Sequence, residues 1–561
     1  MKLLIVGGVA GGASAAARGR RLSEQAEIVL FEKGPYISYA NCGLPYYIGH
    51  VIEDRNKLLV FTPEQMKKRF NIDVRTSTEV LRIERQEKRV EVKKIDTGEL
   101  YMESYDKLIL SPGAEPIKPL IPGIDGTKVM TLRSVQDMDK IRVAVDAGAR
   151  KVTVIGGGYI GLEMVDNLSN FGLEIHLVEM LPRIMPLIDP EIAFIVQEHI
   201  KSRGVQLHLG KPVQGFKEAE GRLVVRLHRY EEIECNFAVL SVGVKPSTSL
   251  AVKAGLDIGP TGGIKVDDYM RTSDPDIYAV GDAVEVKDFI TSRPALIPLA
   301  GLANRQGRIA ADNVFGRASK FRGAQGTVIV KVFDLTVAST GASEIKLKEA
   351  GIAYEKIYLH PTNHAQFYPG ASDIRFKLLY SPEDGRILGA QIVGVDGVDK
   401  RVDVIAMAIQ AGMTVFDLEE CELAYAPQLG AAKDPVNMAG FVASNILKGD
   451  CNTLFASDVP VDEQNPNILV LDVRTSKEYQ QGTVPGAVNI PLDELRARIG
   501  ELPKDKKIYC FCRAGLRSYI ANRILKQNGL EVYNISGGYL TFCSSRPEMA
   551  YCDEIVPKKV K

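Results

Sequence analysis

The sequence has no surplus of charge. Over 561 residues, Lys and Arg number 70 and Asp and Glu also number 70, so bulk charge gives no reason to expect a nucleic-acid or membrane partner. Cysteine is sparse, eight in all, which excludes a disulfide framework and leaves individually reactive or inert thiols, as in a reducing compartment. The expected address is therefore the cytoplasm. No stretch reaches the ~18 consecutive apolar residues of a membrane span. The opening MKLLIVGGVAGGASAAARG carries a lysine, an apolar run and small residues, as a secretory signal does. It is richer in glycine than such signals, and its glycines have another use. Composition is otherwise ordinary for a globular protein, with 45% hydrophobic and 25% charged residues. At roughly 100–200 residues per domain the length calls for about three to five domains.

What is present begins with two copies of one pattern. Lys2 to Val6 reads as a buried strand, Gly7-Gly8-Val9-Ala10-Gly11-Gly12 opens an Ala-rich helix, and Glu27 to Phe31 gives a second strand ending at Glu32. This βαβ unit brings backbone N–H groups and a helix N-terminus to a pyrophosphate, with a carboxylate about 20 residues on for a ribose diol. Gly7, Gly12 and Glu32 fit those roles, with Lys33 beside them, while Val9 stands where the pattern wants its second glycine. The second copy is complete: a strand from Val152 to Ile155, then Gly156-x-Gly158-x-x-Gly161-x-Glu163, matching G-x-G-x-x-G-x-E, then a strand from Ile175 to Val178 leading into Glu179. An acidic residue there favours NADH, although Arg183 is near enough in sequence to leave NADPH open.

Tyr105 to Ala114 (YDKLILSPGA) and Thr272 to Ala283 (TSDPDIYAVGDA) follow in the order expected of the two-dinucleotide-binding flavoprotein reductases, the pyridine nucleotide-disulfide oxidoreductase family, which the chain resembles. The resemblance implies FAD on the first fold, held partly by Asp282, and NADH or NADPH on the second.

Within this frame, Ser38 to Tyr46 (SYANCGLPY) holds a cysteine without a C-x4-C partner, because position 47 is tyrosine. Cys42 therefore either cycles through sulfenic acid or holds a mixed disulfide with a small thiol, and both need a thiolate. The segment resembles that of the coenzyme A disulfide reductases and coenzyme A persulfide (polysulfide) reductases. In them the helix matching the first one here presents residues to coenzyme A. Ser14, Arg18 and Arg21 occupy those places at i, i+4 and i+7, with Ser38 and Asn41 beside the thiol. Phe70 replaces a basic residue that the family offers, with Lys67, Lys68 and Arg69 adjacent. A third segment resembles the family's dimerisation domain, implying a homodimer. The resemblance makes Tyr368 and Tyr425 donors to the active-site sulfur across that dimer and Lys433 a coenzyme A contact, and it leaves His364 outside catalysis.

From Val459 the pattern changes again. A strand ending in Asp472-Val473-Arg474, and another ending at Cys512-Arg513-Ala514-Gly515-Leu516-Arg517-Ser518 before a helix, resemble a single-domain rhodanese, with Gly537-Gly538-Tyr539 as its last motif. A cysteine at a strand end, with a Gly-containing loop leading into a helix N-terminus, collects N–H groups around a thiolate or persulfide. Arg513, Gly515 and Arg517 complete that loop. Cys510 reads as core, a metal site lacks any second Cys/His cluster, and Cys543 and Cys552 have no assigned role.

The expected fold class is α/β: two Rossmann-like FAD and NAD(P) domains, an α+β dimerisation domain and a C-terminal α/β rhodanese domain. The expected boundaries are 1–113 with 247–320 for FAD, 114–246 for NAD(P)H, 321–450 for dimerisation and 459–556 for the rhodanese. The expected activity is NAD(P)H-driven reduction, through Cys42, of coenzyme A persulfide, polysulfide or coenzyme A disulfide, with Cys512 carrying sulfane sulfur. Two other readings stay open: an NADH oxidase or peroxidase cycling Cys42 through sulfenic acid, and a sulfurtransferase or redox sensor with little NADH turnover. The expected partners are coenzyme A and small sulfane-sulfur molecules, with no nucleic acid, membrane or metal.

Overall fold

The computed structural model describes residues 1–219, 221–460, 465–550 and 552–559. The chain divides into two compact units, Met1–Pro182 with Gln206–Gly326, and Arg183–Val205 with Thr327–Lys561.

The first unit holds two five-stranded parallel sheets. In one, strands Ile277–Ala279, Lys107–Leu110, Lys2–Val6, Glu27–Phe31 and Asp73–Arg75 lie side by side. In the other, the order is Gln206–Leu209, Glu174–Glu179, Lys151–Ile155, Phe237–Leu240 and Val129–Thr131. The central strands are near-continuous apolar runs because they are covered on both faces, and Leu3, Leu4, Ile5, Val152 and Val154 are all buried. Each expected strand around the two glycine motifs forms within a residue of its expected ends, and a helix opens at each motif. Helix Ala10–Leu22 packs on helix Ala300–Val314 through small residues. A Cβ at Gly307 would lie 2.3 Å from the Gly11 carbonyl oxygen, so this contact depends on glycine.

The second unit combines a five-stranded antiparallel sheet and a five-stranded parallel one. The antiparallel order is Val328–Val332, Leu335–Gly341, Ile387–Gly394, Ile374–Tyr380 and Glu355–Leu359. Helix Val398–Ala411 lies over it. The parallel sheet runs Thr453–Leu454, Val532–Ile535, Lys507–Phe511, Ile468–Asp472 and Val488–Asn489. Its first strand precedes the segment expected from residue 459, and residues 461–464 of that segment lie outside the described residues.

One association was not legible in sequence. Residues 183–205, inside the stretch expected to bind NAD(P)H, are compact with the second unit. The fully buried Lys377 ammonium explains it, lying 2.7 Å from Asp189, 2.5 Å from Glu191 and 2.5 Å from Glu344. Burial pulls the lysine pKa down, but the carboxylates outweigh it and hold the ammonium well above its usual value. Tyr358 donates its hydroxyl to Glu191 at 2.8 Å. Among the described residues, no helix is long and apolar enough to cross a membrane.

Candidate active site

The two glycine turns are built alike. Glu32 accepts the N–H groups of Gly8 and Gly34, each at 2.8 Å, and Glu179 accepts those of Gly157 at 2.8 Å and Leu181 at 2.9 Å. Each carboxylate thus pins its own turn against the strand it ends. A Cβ at Gly12 would sit 1.8 Å from the Gly7 oxygen, and one at Gly161 would sit 2.0 Å from the Gly156 oxygen. Those glycines are needed for helix–strand approach. Gly158, which caps helix Tyr159–Ser169, differs: a Cβ there would meet nothing within 4 Å. No protein atom requires glycine at that place, so the open space fits a pyrophosphate brought against the backbone. Asp282 follows Gly281, whose N–H donates to Gln306 at 2.7 Å. Burial pushes its carboxyl pKa up, and the Arg133 guanidinium partly counters that. Arg133 acts in the same sense on Glu32, and nothing in its local sequence marks it for that position. Lys33 is exposed and paired with Glu79 at 2.9 Å.

Cys42 lies in a 3-10 turn, Asn41–Gly43, that runs directly into helix Leu44–Ile48. Ser38 enters this loop at φ +45°, an uncommon value for a residue with a side chain. The Ser38 N–H donates to Gly8 O at 2.8 Å and its carbonyl accepts from Val60 at 2.9 Å, so the thiol loop is fastened to the first glycine turn. The short helix packs against Val135–Asp146 and Tyr159–Ser169. Its C-terminal carbonyls at Tyr47 and Ile48 accept from Arg142 at 3.2 and 3.3 Å. Cys42 is exposed, and Cys235, the other cysteine of this unit, is buried in the core.

Behind the thiol, the Tyr46 hydroxyl bonds to Glu163 on helix Tyr159–Ser169. Burial, reinforced by the nearby Asp166, raises the Glu163 carboxyl to about 7 despite that bond. Burial and the same acids push the Tyr46 phenol up as well. The acid of the G-x-G-x-x-G-x-E pattern is thus coupled to Tyr46, the side chain on which the charge of Cys42 acts. Sequence reasoning assigned it no role, although the pattern contains it.

The stripe on the first helix is divided. Ser14 donates to Asn304 at 2.7 Å, Arg18 is paired with Asp312 at 2.7 Å, and Arg21 alone is exposed. The neighbouring Arg20, not singled out from sequence, is buried and caps the carbonyls of Ser23, Glu24, Phe70 and Asn71. In the second unit, Tyr368 and Tyr425 are 43% and 48% exposed, and Lys433 is exposed. His364 is buried, with Nδ1 at 3.1 Å from the Ala365 oxygen.

The C-terminal thiol has a denser surround. Cys512 follows strand Lys507–Phe511 and is buried, and its sulfur accepts from the Gly515 N–H at 3.1 Å and the Ser518 hydroxyl at 3.5 Å. Arg517 reaches the same sulfur and forms a two-pronged pair with Glu478, both bonds at 2.7 Å. Arg513, in the same loop, is turned onto Asp373 at 2.7 Å and Glu554 at 2.6 Å. A hydroxyl in the first turn of the following helix, that of Ser518, also takes part. Cys510 is fully buried and shares a core cluster with Cys512.

Residues 1–307 match the family described as pyridine nucleotide-disulphide oxidoreductase. The chain belongs to that family. Residues 327–434 match the family's dimerisation domain and residues 460–545 a rhodanese-like domain. A Staphylococcus haemolyticus protein named coenzyme A disulfide reductase is 36% identical over 448 residues, covering 79% of this chain and all of that one. The reduced Bacillus anthracis CoADR-RHD structure superposes with a TM-score of 0.96 at 49% identity, over 98% of this chain and 99% of its own. An NAD-dependent persulfide reductase from A. fulgidus gives 0.90 at 39%, over 97% and 100%. This is a flavoprotein family that uses FAD and NAD(P)H, and the open cradle at Gly158 and the pinned turn at Gly7 and Gly12 fit those groups.

Proposed function

We propose that this oxidoreductase takes electrons from NAD(P)H through FAD to reduce coenzyme A persulfide, polysulfide or coenzyme A disulfide at Cys42. Cys512 supplies sulfane sulfur. The observation that carries this reading is a lone exposed thiol in the nucleotide-binding unit, joined on one chain to a second thiol in an anion cradle. Among the described residues, Cys42 has no thiol within its own unit that could resolve it, since Cys235 is buried in the core. The second sulfur must then arrive on a small molecule. The names of the Staphylococcus and A. fulgidus relatives agree with that substrate class.

In this scheme the Cys42 thiolate attacks the incoming disulfide or persulfide sulfur, and the carrier thiol or sulfide leaves. Bound FAD and nicotinamide supply the electron pair that restores the thiolate. Tyr46 and Glu163 hold the proton that the departing thiolate needs. Ser14, Arg18, Arg21, Ser38, Asn41 and Lys433 are assigned to coenzyme A, with Arg18 first releasing Asp312. Tyr368 and Tyr425 are assigned to the sulfur of a partner protomer, an arrangement supported by the dimerisation segment and by the exposure of both rings. An enzyme that draws on NAD(P)H to reduce free sulfane sulfur suits a cytoplasmic address. At the second thiol, Gly515 N–H, Ser518 and Arg517 stabilise the persulfide anion.

The test is Cys512→Ser. Polysulfide turnover should fall while NADH-dependent reduction of coenzyme A persulfide survives. Equal loss of both would overturn the division of labour, and peroxide consumption outpacing sulfide release would overturn the substrate class.

A further inference from the structure

The cradle at Cys512 depends on the path of the loop that leaves it, because the Gly515 N–H and the Ser518 hydroxyl reach the sulfur from that loop and from the helix it opens. Two holds fix the path. In the backbone, the Tyr539 N–H donates to Cys512 O at 2.8 Å and the Leu540 N–H to Arg513 O at 3.1 Å. A Cβ at Gly538 would lie 2.3 Å from the same Cys512 oxygen, so this approach needs glycine. The second hold is the Arg513 side chain, with Nη2 at 2.7 Å from Asp373 and Nε at 2.6 Å from Glu554. The two carboxylates are unequal. The Glu554 side chain is 59% exposed, where an ion pair is worth little, whereas that of Asp373 is 16% exposed.

Asp373 is also firmly seated. It precedes strand Ile374–Tyr380 and is bridged to Thr362, with the Asn363 N–H donating to Ser372 O at 2.9 Å and the Ile374 N–H to Pro361 O at 2.8 Å on either side. The buried Arg375 guanidinium lies 3.4 Å from its carboxylate. A carboxylate in the segment matching the dimerisation domain therefore grips the residue next to the thiol in the segment matching a rhodanese-like domain. From this juxtaposition we infer that Asp373 is a positioning residue for sulfur transfer at Cys512, fixing through Arg513 the loop that aims Gly515 and Ser518 at the sulfur. This rests on Cys512 being the carrier of sulfane sulfur proposed above. The cradle has to stabilise the thiolate before it attacks and the persulfide anion afterwards. A loop released at Arg513 spends less time with both donors in place, so the chemical step slows while affinity for the sulfur donor is kept.

The test is sulfur transfer from thiosulfate to cyanide by the full chain, followed as thiocyanate. The Cys512 thiolate attacks the outer sulfur of thiosulfate, the S–S bond breaks, and sulfite leaves with its electron pair. Cyanide then takes the outer sulfur of the Cys512 persulfide, giving thiocyanate and restoring the thiolate, with no net electrons gained or lost by the chain. Asp373→Asn should lower kcat about tenfold, the scale of one charge-assisted hydrogen bond, at an unchanged KM for thiosulfate, and Asp373→Glu should recover most of the loss. Arg513→Gln, which leaves the strand at Asp373 untouched, should show the same fall alone. Added to Arg513→Gln, Asp373→Asn should cost nothing further, because its action runs through that guanidinium. Asp373→Asn at the parent kcat, a loss carried by KM, or losses that multiply in the double variant would overturn the assignment. Thiocyanate formation that survives Cys512→Ser refutes the carrier reading instead, so the two fail separately.

Discussion

Replacing Glu163 by Gln probes the proton store behind Cys42. The carboxyl moves from an ordinary 4.5 to about 7 on folding, chiefly because burial disfavours its charged form. A carboxyl whose folded pKa is raised contributes stability that is complete below 4.5 and is lost as pH rises through about 7. Across that window the loss is about 3 kcal/mol, at ~1.4 kcal/mol for each pKa unit. Gln keeps the hydrogen-bonding shape and cannot ionise. The variant should therefore gain on the parent chain between pH 5 and pH 8.5, by roughly 6–12 °C in the unfolding midpoint of the nucleotide-binding unit, at ~2–4 °C per kcal/mol. Calorimetry of both holoenzymes across that range measures the difference. In parallel, a limb near neutral pH in the kcat profile with coenzyme A disulfide should disappear in the variant. Parallel midpoint curves, offset by the same amount at every pH, would show that Glu163 is an ordinary ionised carboxylate and that the proton assignment is wrong.

Gly158→Ala should leave the thermal midpoint unchanged, since the added methyl meets no protein atom. It should raise the KM for the nicotinamide about tenfold, ~1.4 kcal/mol of binding; an unchanged KM would mean that the cradle is not the pyrophosphate site. Lys377→Met strands three buried carboxylates and should cost ~3–5 kcal/mol of stability in the second unit. That deficit should shrink as pH falls and the acids take up protons, so a loss independent of pH would point to packing instead of charge.

What sequence made legible follows from the range of the interactions. The glycine turns, Glu32 and Glu179, the Cys42 loop and the Cys512 loop are each made by residues within a few tens of positions, and their spacing carries their geometry. The carboxylates around Lys377 come from positions 189, 191 and 344, so no local pattern announces them or the move of residues 183–205 into the second unit. Arg513 stands in the motif, but its direction is set by Asp373, far off in sequence. Arg20 and Arg18 look equivalent on the first helix, yet one caps carbonyls in the interior and the other faces Asp312. Glu163 was in plain view in its motif, while its significance came from burial and from Tyr46.

The central claim is that Cys42 passes electrons from NAD(P)H to sulfur carried by coenzyme A. Anaerobic assay with coenzyme A persulfide, reading sulfide and NADH together, tests it most directly. One sulfide should be released for each NADH oxidised, and no sulfide above background from Cys42→Ser. NADH oxidised without matching sulfide, or a Cys42→Ser enzyme that keeps the parent rate, would contradict it.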